Sequence, residues 1–284
     1  MDSEDKLTNS PITLGTDPEV FLKTEQNSFF PAFGIIQGTK ELPYEIIGPG
    51  FSTQVDNVMC EFNIPASKTK EDFSDNIQKV LNWLKENLPK NLSVEIQPSA
   101  EFEKHLLEND LAQVLGCSSD YDVYSGENTS IKSLGETNWR FAGGHVHVGY
   151  PDSNTITNEN LVKWLDIYLG LPSVILDDDD KRKMYYGTPG RYREKTFGVE
   201  YRTLSNWWIK NDTYRKWVFE QCQKAYYAVI NEVLIGESFE RQVRECIQSN
   251  NREQAEKLMT HFNVMSNEEF NNLINLKIND YINA

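Results

Sequence analysis

The sequence predicts an α+β fold with a largely antiparallel sheet and a helical C-terminal end, and three observations carry that prediction. Strand-like and helix-like stretches are interspersed without the strict β-α-β alternation that a parallel sheet requires. The region from Ile12 to about Pro65 is a series of short β-rich runs punctuated by Gly and Pro, and everything from Asp212 onward reads as helix. These patterns divide the 284-residue chain into a flexible lead over residues 1–11, a main folded unit over 12–235 and a helical extension over 236–284.

Taken in order, the lead "MDSEDKLTNS" is acidic and polar, unlike a secretory signal. "ITLG", "EVFLK", "SFFPAFGI" and "QVDNVMCEFNIP" then read as strands. An amphipathic helix is expected from about Glu71 to Leu88. Phe73, Ile77, Val80, Leu81, Leu84 and Leu88 recur there at three- and four-residue steps, and Pro89 closes the run. "LSVEIQPS" reads as a strand and "EKHLLENDLAQVLG" as a short helix ending at Gly116. "WRFAGGHVHVGY" reads as one strand, and "NENLVKWLDIYLGL" as a helix that stops before Pro172. The stretch from Leu176 to Gly198 is charged and rich in Tyr, Gly and Arg, which suits a functional loop or lid. Its "LDDDDKRK" run reads as a solvated loop or a flap over a ligand. "GVEYRTL" is a further strand, followed by a helix through "TYRKWVFEQCQKAYYAVINEVL" and two polar helices around 237–262 and 266–282.

A formal net charge of −15 with no basic run disfavours nucleic acid or an anionic membrane as partner. No apolar run approaches the ~20 residues that span a bilayer. The four cysteines, Cys60, Cys117, Cys222 and Cys246, include no CxxC pair, so free thiols in a reducing, cytoplasmic setting are expected. Cys117 reads as a core thiol, and Trp207 and Trp208 as packing residues.

Side chains two residues apart on a strand face the same way. Four predicted strands carry such polar pairs: Asp17 and Glu19, Glu61 and Asn63, His145 and His147, and Glu200 and Arg202. Any one pair is ordinary on an exposed face. Brought together in one sheet, the four would line a concave surface with metal ligands and a phosphate-binding arginine, where buried charges must be paired or bind a cation. A zinc site begun from His-x-His needs more imidazoles or thiolates, and only His105 and His261 remain. Abundant carboxylates with one imidazole suit Mg²⁺ or Mn²⁺ instead, which points to nucleotide phosphates as co-ligands. "GIIQGTKE" lacks the spacing of a phosphate-binding P-loop, so the sheet and its metals would have to hold ATP.

The order Asp-x-Glu, Glu, His-x-His, Glu-x-Arg resembles the glutamine synthetase and glutamate–cysteine ligase superfamily. "GTDPEVFL", "QVDNVMCEFNIPAS", "GCSSDYDVY", "AGGHVHVG" and "YYGTPGRYREKTFGVEYRTLSNWW" resemble its phage-type carboxylate–amine ligase (type 2) branch, over about Leu14 to Trp208. The resemblance implies a curved antiparallel sheet of glutamine synthetase type, with ATP entering one end and substrates the other. It implies that ATP phosphorylates a carboxylate and that an amine attacks the acyl phosphate to form an amide. Carried over by motif, Asp17, His145 and Glu200 hold the metal nearest the transferred phosphoryl group, and Glu19 and Glu61 hold a second. Arg202 stabilises phosphoryl charge, Arg191 and Arg193 make further phosphate or carboxylate contacts, and His147 faces the γ-phosphate or substrate. Gly143 and Gly144 ease a bend or, functionally, let ATP approach the backbone.

The sequence departs from the superfamily in one place. Glutamine synthetases carry a further glutamate about eight residues after the one matched by Glu61, where this chain has Thr69. Glu71 opens a helix, where an acidic residue is expected anyway. Asp56 has the opposite strand parity from Glu61 unless a bulge intervenes. Three other readings stay open: a guanidino kinase on the same fold, a metal-dependent hydrolase or cupin-like oxygenase, and a non-catalytic structural or binding descendant. The expected partners are small-molecule or peptide carboxylate and amine substrates, with a homo-oligomer left open.

Overall fold

At Asp17–Pro18 the chain turns a corner, and that corner joins two antiparallel sheets. The computed structural model describes residues 11–113, 119–129, 137–151, 157–177 and 181–282. Residues 1–10, Cys117 and Asp178 to Asp180 lie outside the described residues.

The strands are β1 (Thr13–Thr16), β2 (Glu19–Thr24), β3 (Phe29–Phe30), β4 (Tyr44–Gly48), β5 (Phe51–Asp56), β6 (Met59–Asn63) and β7 (Leu92–Glu95). They continue with β8 (Ser99–Glu101), β9 (Asp120–Asp122), β10 (Glu127–Thr129), β11 (Trp139–Phe141), β12 (Val146–Gly149), β13 (Arg191–Lys195) and β14 (Gly198–Tyr201). One sheet runs β1-β12-β14-β13-β9-β10; the other runs β3-β2-β6-β5-β4, with β7 also paired to β2; β11 and β8 form a short third pair. The fold is α+β with a curled antiparallel β surface, as the sequence predicts.

The helices are α1 (Lys70–Asn87), α2 (Asp110–Gln113), α3 (Asn158–Leu165), α4 (Leu171–Leu176), α5 (Asp212–Ile230), α6 (Glu237–Ser249), α7 (Arg252–His261) and α8 (Asn267–Ile282). Thr69 caps α1 by accepting a hydrogen bond from the Asp72 N–H at 3.0 Å. Its apolar stripe, Phe73, Ile77, Val80 and Leu84, is fully buried. Phe73 stacks on Trp208 with ring centroids 5.7 Å apart, so Trp208 is a core residue. Val146, Val148, Val199 and Tyr201, the alternate residues of β12 and β14, enter the same core as Leu161 and Leu165 of α3 and Val218 of α5. Each such aliphatic or aromatic side chain contributes roughly 1.5–3 kcal/mol of burial. The period-two pattern thus turns one face of the first sheet into core and leaves the other to carry charge. No helix among the described residues is long and apolar enough to cross a membrane.

Several elements differ from expectation for identifiable reasons. Pro172 does not end its helix. A π-helical turn over Asp166–Gly170 separates α3 from α4 and places Pro172 in the first turn of α4, where a missing N–H is tolerated. "LSVEIQPS" splits between β7 and β8 at Gln97–Pro98, because Pro98 interrupts the ladder. "WRFAGGHVHVGY" likewise splits around Gly143–Gly144. The helix expected up to Gly116 is a 3₁₀ turn at Lys104–Leu107 followed by α2. The span 237–262 is two helices, since Asn250 takes the left-handed conformation (φ 55°) and Asn251 caps α7 through the Gln254 N–H. Part of the expected lid is sheet: residues 191–195 form β13, paired to β14 and β9. The "RK" that ends "LDDDDKRK" is neither solvated nor a flap. Arg182 is buried and donates to the carbonyl oxygens of Thr203 and Leu204 at 2.8 Å, while Lys183, also buried, donates to Asn250.

Candidate active site

The first sheet brings one row of polar side chains into register across its charged face. Gly15 of β1 lies opposite His147 of β12, His147 opposite Glu200 of β14, and Glu200 opposite Arg193 of β13. Asp17 sits at the corner just past β1, not in a strand with Glu19, and its side chain reaches back over this row. Its Oδ1 is 3.2 Å from both His145 Nδ1 and His147 Nε2. Oxygen or nitrogen atoms of Asp17, His147 and Glu200 all lie within 4.8 Å of one another, a spacing that one cation can bridge.

Glu200 is the electrostatic hub. It is fully buried and pairs with Arg202 Nη1, with Arg193 Nη1 at 3.5 Å and with Lys195 Nζ at 2.7 Å. Burial and the Asp17 charge alone would raise its pKa, but Arg202 and the two histidines outweigh them and bring it down to about 2. Burial likewise opposes ionisation of Asp17, yet His147 and His145 hold that carboxyl well below the usual range. Burial also disfavours charging His147, but Asp17 and Glu200 raise its pKa nonetheless. His145 behaves oppositely: burial and the Arg202 charge push it down to about 4.

The two histidines therefore differ in kind. Both ring nitrogens of His145 are engaged, Nδ1 facing Asp17 and lying 3.3 Å from Arg202 Nη1, and Nε2 against the Tyr186 hydroxyl. His147 Nε2 is buried, with no aligned hydrogen bond; Asp17 Oδ1 is its near neighbour. His147, rather than His145, is thus the histidine grouped with Asp17 and Glu200, while His145 contacts Asp17, Arg202 and Tyr186.

A second carboxylate cluster lies on the other sheet. Glu19 of β2 is opposite Glu61 of β6, and Gln54 of β5 is opposite Glu61 on its other side. Asp56 joins them, with atoms of Glu19, Asp56 and Glu61 all within 4.8 Å of one another. The parity objection to Asp56 fails because Asp56 and Glu61 are not on one strand. Asp56 pairs with Met59 across a turn containing Asn57 at φ 55°, which returns it to the face of Glu61. Burial and the Asp56 charge raise Glu19 to about 8, even though it accepts the Gly143 N–H at 2.6 Å. Glu61 is raised well above the usual range by burial, Asp17, Asp56 and Glu19.

Arg202, almost wholly buried, is held from several sides: Nε faces Asp120 at 3.3 Å and Nη2 donates to the Tyr186 hydroxyl at 2.6 Å. Asp120 also holds Arg191 Nη1 at 3.2 Å, so one carboxylate aligns two guanidinium groups. Arg191 and Arg193 are therefore strand residues in the sheet, not lid residues. Sequence reasoning missed Asp120, Tyr186, Lys195 and Lys40. The alternation "RYREK" could have revealed Lys195, which shares parity with Arg191 and Arg193.

Not every expected residue faces the site. Gly144 is buried, and a Cβ there would lie 2.3 Å from the Ser205 carbonyl oxygen. Its close approach is thus to protein backbone, with its N–H donating to Leu204 and its carbonyl accepting from Trp208 Nε1, and it offers no surface to a nucleotide. Thr69 is spent as the α1 cap and Glu71 is exposed in the first turn of that helix, so neither replaces a carboxylate at the second cluster. His105 is exposed and His261 stacks on Phe239, away from both clusters. The donor set suits hard divalent cations: seven of the groups at the two clusters are Asp17, Glu19, Asp56, Glu61, Glu200, His147 and the Gln54 amide, with no thiolate. Cys60, Cys222 and Cys246 are free and buried.

His145, His147, Glu200 and Arg202 fall within the segment that a known family describes, whereas Asp17, Glu19 and Glu61 precede it. No curated protein matches this chain. Residues 82–218 match the model of the Phage phiEco32-like COOH.NH2 ligase-type 2 family, the branch whose motifs the sequence resembles.

Proposed function

We propose that this protein is an ATP- and Mg²⁺- or Mn²⁺-dependent ligase that joins a carboxylate to an amine. One observation carries the reading: two cation-capable clusters, Asp17–His147–Glu200 and Glu19–Asp56–Glu61, accompany a buried arginine that is fixed by Asp120 and paired with Glu200. Phosphoryl transfer needs positioning and charge neutralisation more than covalent chemistry, and this set of groups supplies both. The family name matched by residues 82–218 is that of a COOH–NH2 ligase.

In this reading bound divalent cations would supply charge neutralisation for phosphate oxygens. Asp17, His147 and Glu200 would hold one, and Glu19, Glu61 and Asp56 the other. Arg202 meets the charge that develops on the transferred phosphoryl group, and because Asp120 and Glu200 already orient it, little ordering is needed on reaction. Arg191 and Arg193 extend the cationic wall along β13. His145, neutral near pH 7, positions Asp17 and the Arg202 guanidinium. A carboxylate oxygen would attack the γ-phosphorus as the bond to ADP breaks. The amine nitrogen would then bond to the acyl carbon as the carbon–oxygen bond to phosphate breaks, its proton passing to solvent and inorganic phosphate leaving.

The test supplies ATP, Mg²⁺ and hydroxylamine with each of a panel of amino acids and small dicarboxylates. The ligase reading expects ADP and a hydroxamate in equal amounts for at least one carboxylate. Arg202→Ala is expected to lower that rate by about 10²–10³-fold. Phosphorylation of a guanidino compound without hydroxamate would favour the kinase instead. Stoichiometric zinc with no affinity for ATP would rule out both.

A further inference from the structure

Lys40 places its ammonium group inside the second carboxylate cluster. Its Nζ is 2.8 Å from Asp56 Oδ2 and 3.9 Å from Glu61 Oε2. Three carboxylates share the cluster, all more than nine-tenths buried, and Lys40 is the cation the structure sets among them. Two further atoms point to a ligand. Glu61 Oε2 and Gln54 Oε1 are both buried and accept no hydrogen bond, and Gln54 stands directly across from Glu61 in the β5–β6 ladder. Buried acceptors without donors are costly unless something electropositive meets them.

The backbone around Lys40 is pinned while its side chain is not enclosed. Val55 N–H donates to the Gly38 carbonyl at 3.1 Å, and Thr53 Oγ1 donates to the Gln37 carbonyl. Gly38 adopts φ +96°, and a Cβ there would lie 2.3 Å from the Thr53 carbonyl oxygen, so this contact fixes the loop against β5. Beyond it Thr39–Leu42 form a tight turn, from which Lys40 reaches inward with its side chain still 34% exposed. The ammonium can leave for solvent by rotating its own stem, with no movement of the pinned backbone.

We propose that Lys40 is a built-in, displaceable counter-ion of a hard divalent-cation site whose ligands are Glu19, Asp56, Glu61 and the amide oxygen of Gln54. The proposal rests on the two-centre reading above but not on turnover. All four ligands are oxygens, which favours Mg²⁺ or Mn²⁺ over zinc. With the cation absent, Lys40 offsets part of the carboxylate repulsion. On binding, the cation takes its place, and the site binds more weakly than its ligands alone would allow.

Titration with Mn²⁺ alone, followed by electron paramagnetic resonance of the free ion, tests this without ATP or substrate. The wild type should bind two ions. Lys40→Met should tighten one of them by roughly tenfold, the effect of removing one nearby positive charge, whereas Lys40→Arg should not tighten it. Asp56→Asn or Gln54→Leu should weaken that same ion, and Asp17→Asn chiefly the other. Two ions in the wild type with no tightening in Lys40→Met would overturn the displacement proposal while leaving the two-centre reading intact. A single ion in both proteins, lost in Asp17→Asn, would overturn the second centre itself. The ligase reading fails or stands separately, in the hydroxamate assay.

Discussion

His145 and His147 meet the same oxygen of Asp17, yet their surroundings give them opposite chemistry. Next to Arg202, and tied to Tyr186, His145 has no nitrogen to offer a cation. His147, two residues on, faces Asp17 and Glu200, with Asp17 Oδ1 3.2 Å from its Nε2. His147→Ala should therefore cost the first Mn²⁺ at least tenfold in affinity, while His145→Asn should retain that ion and instead impair turnover through Arg202. Equal loss of the ion in both variants would return the ligand role to His145. The sequence makes the candidacy of both histidines legible, because alternation places them on one face. It cannot rank them, because the ranking is set by Tyr186 and Arg202, which lie 41 and 57 residues from His145 in the chain. Asp56 shows the converse. Its chemistry is plain in the sequence, but counting parity from Glu61 hides a turn that reverses the chain, and only pairing across the hairpin restores it to the cluster.

At the scale of elements, β14 and the residue that follows it carry Glu200 and Arg202 forward and Tyr201 backward, and the backward residue is anchored as firmly as the others. The Tyr201 hydroxyl donates to Asp166 Oδ1 at 2.6 Å, and the Tyr124 hydroxyl, from the turn after β9, donates to Oδ2 at 2.8 Å. Asp166 opens the π-helical turn between α3 and α4, so one carboxylate ties the helix layer to the strand bearing the site and to the hairpin bearing Asp120. Burial raises Asp166 to about 7, against the lowering effect of these hydroxyls. An aspartate in the unfolded chain titrates near 3.9. The folded state therefore binds the extra proton between those values, so this group's contribution to stability is full below pH ~4, falls as pH rises and is exhausted above pH 7. Asp166→Asn should flatten that dependence. In thermal unfolding from pH 4.5 to 7.5, the wild type should lose stability relative to the variant by up to about 1.4 kcal/mol per pH unit, and parallel curves would refute the assignment. The π turn itself is not legible in "LDIYLGLP", since Pro172 ordinarily signals an end and its tolerance depends on a backbone shift that local propensity does not record.

Across the whole molecule, the charged and apolar faces of the first sheet were readable from period two alone, and so was the α1 stripe. The joining of two sheets at Asp17–Pro18 was not, because a corner leaves no periodic trace. A single strand running from Gly15 to Leu22 would have put Asp17 and Glu19 in one centre, whereas the corner gives each cluster its own carboxylate. The helices after residue 236 are legible in the sequence, but their bracing of the site from behind is not. Arg244 of α6 pairs with Asp122 at 3.3 Å, Glu240 pairs with Lys163 of α3 at 2.8 Å, and Lys277 of α8 donates to the Ile175 carbonyl at 2.8 Å. Two clusters able to hold cations, with a fixed arginine paired to one of them, fit the proposed passage of a phosphoryl group to a carboxylate. The most direct measurement labels the carboxylate oxygens of a substrate found by the hydroxamate assay with ¹⁸O and follows the label through one round of amide formation. Ligation through an acyl phosphate predicts one ¹⁸O in each inorganic phosphate released; phosphate free of label would contradict it.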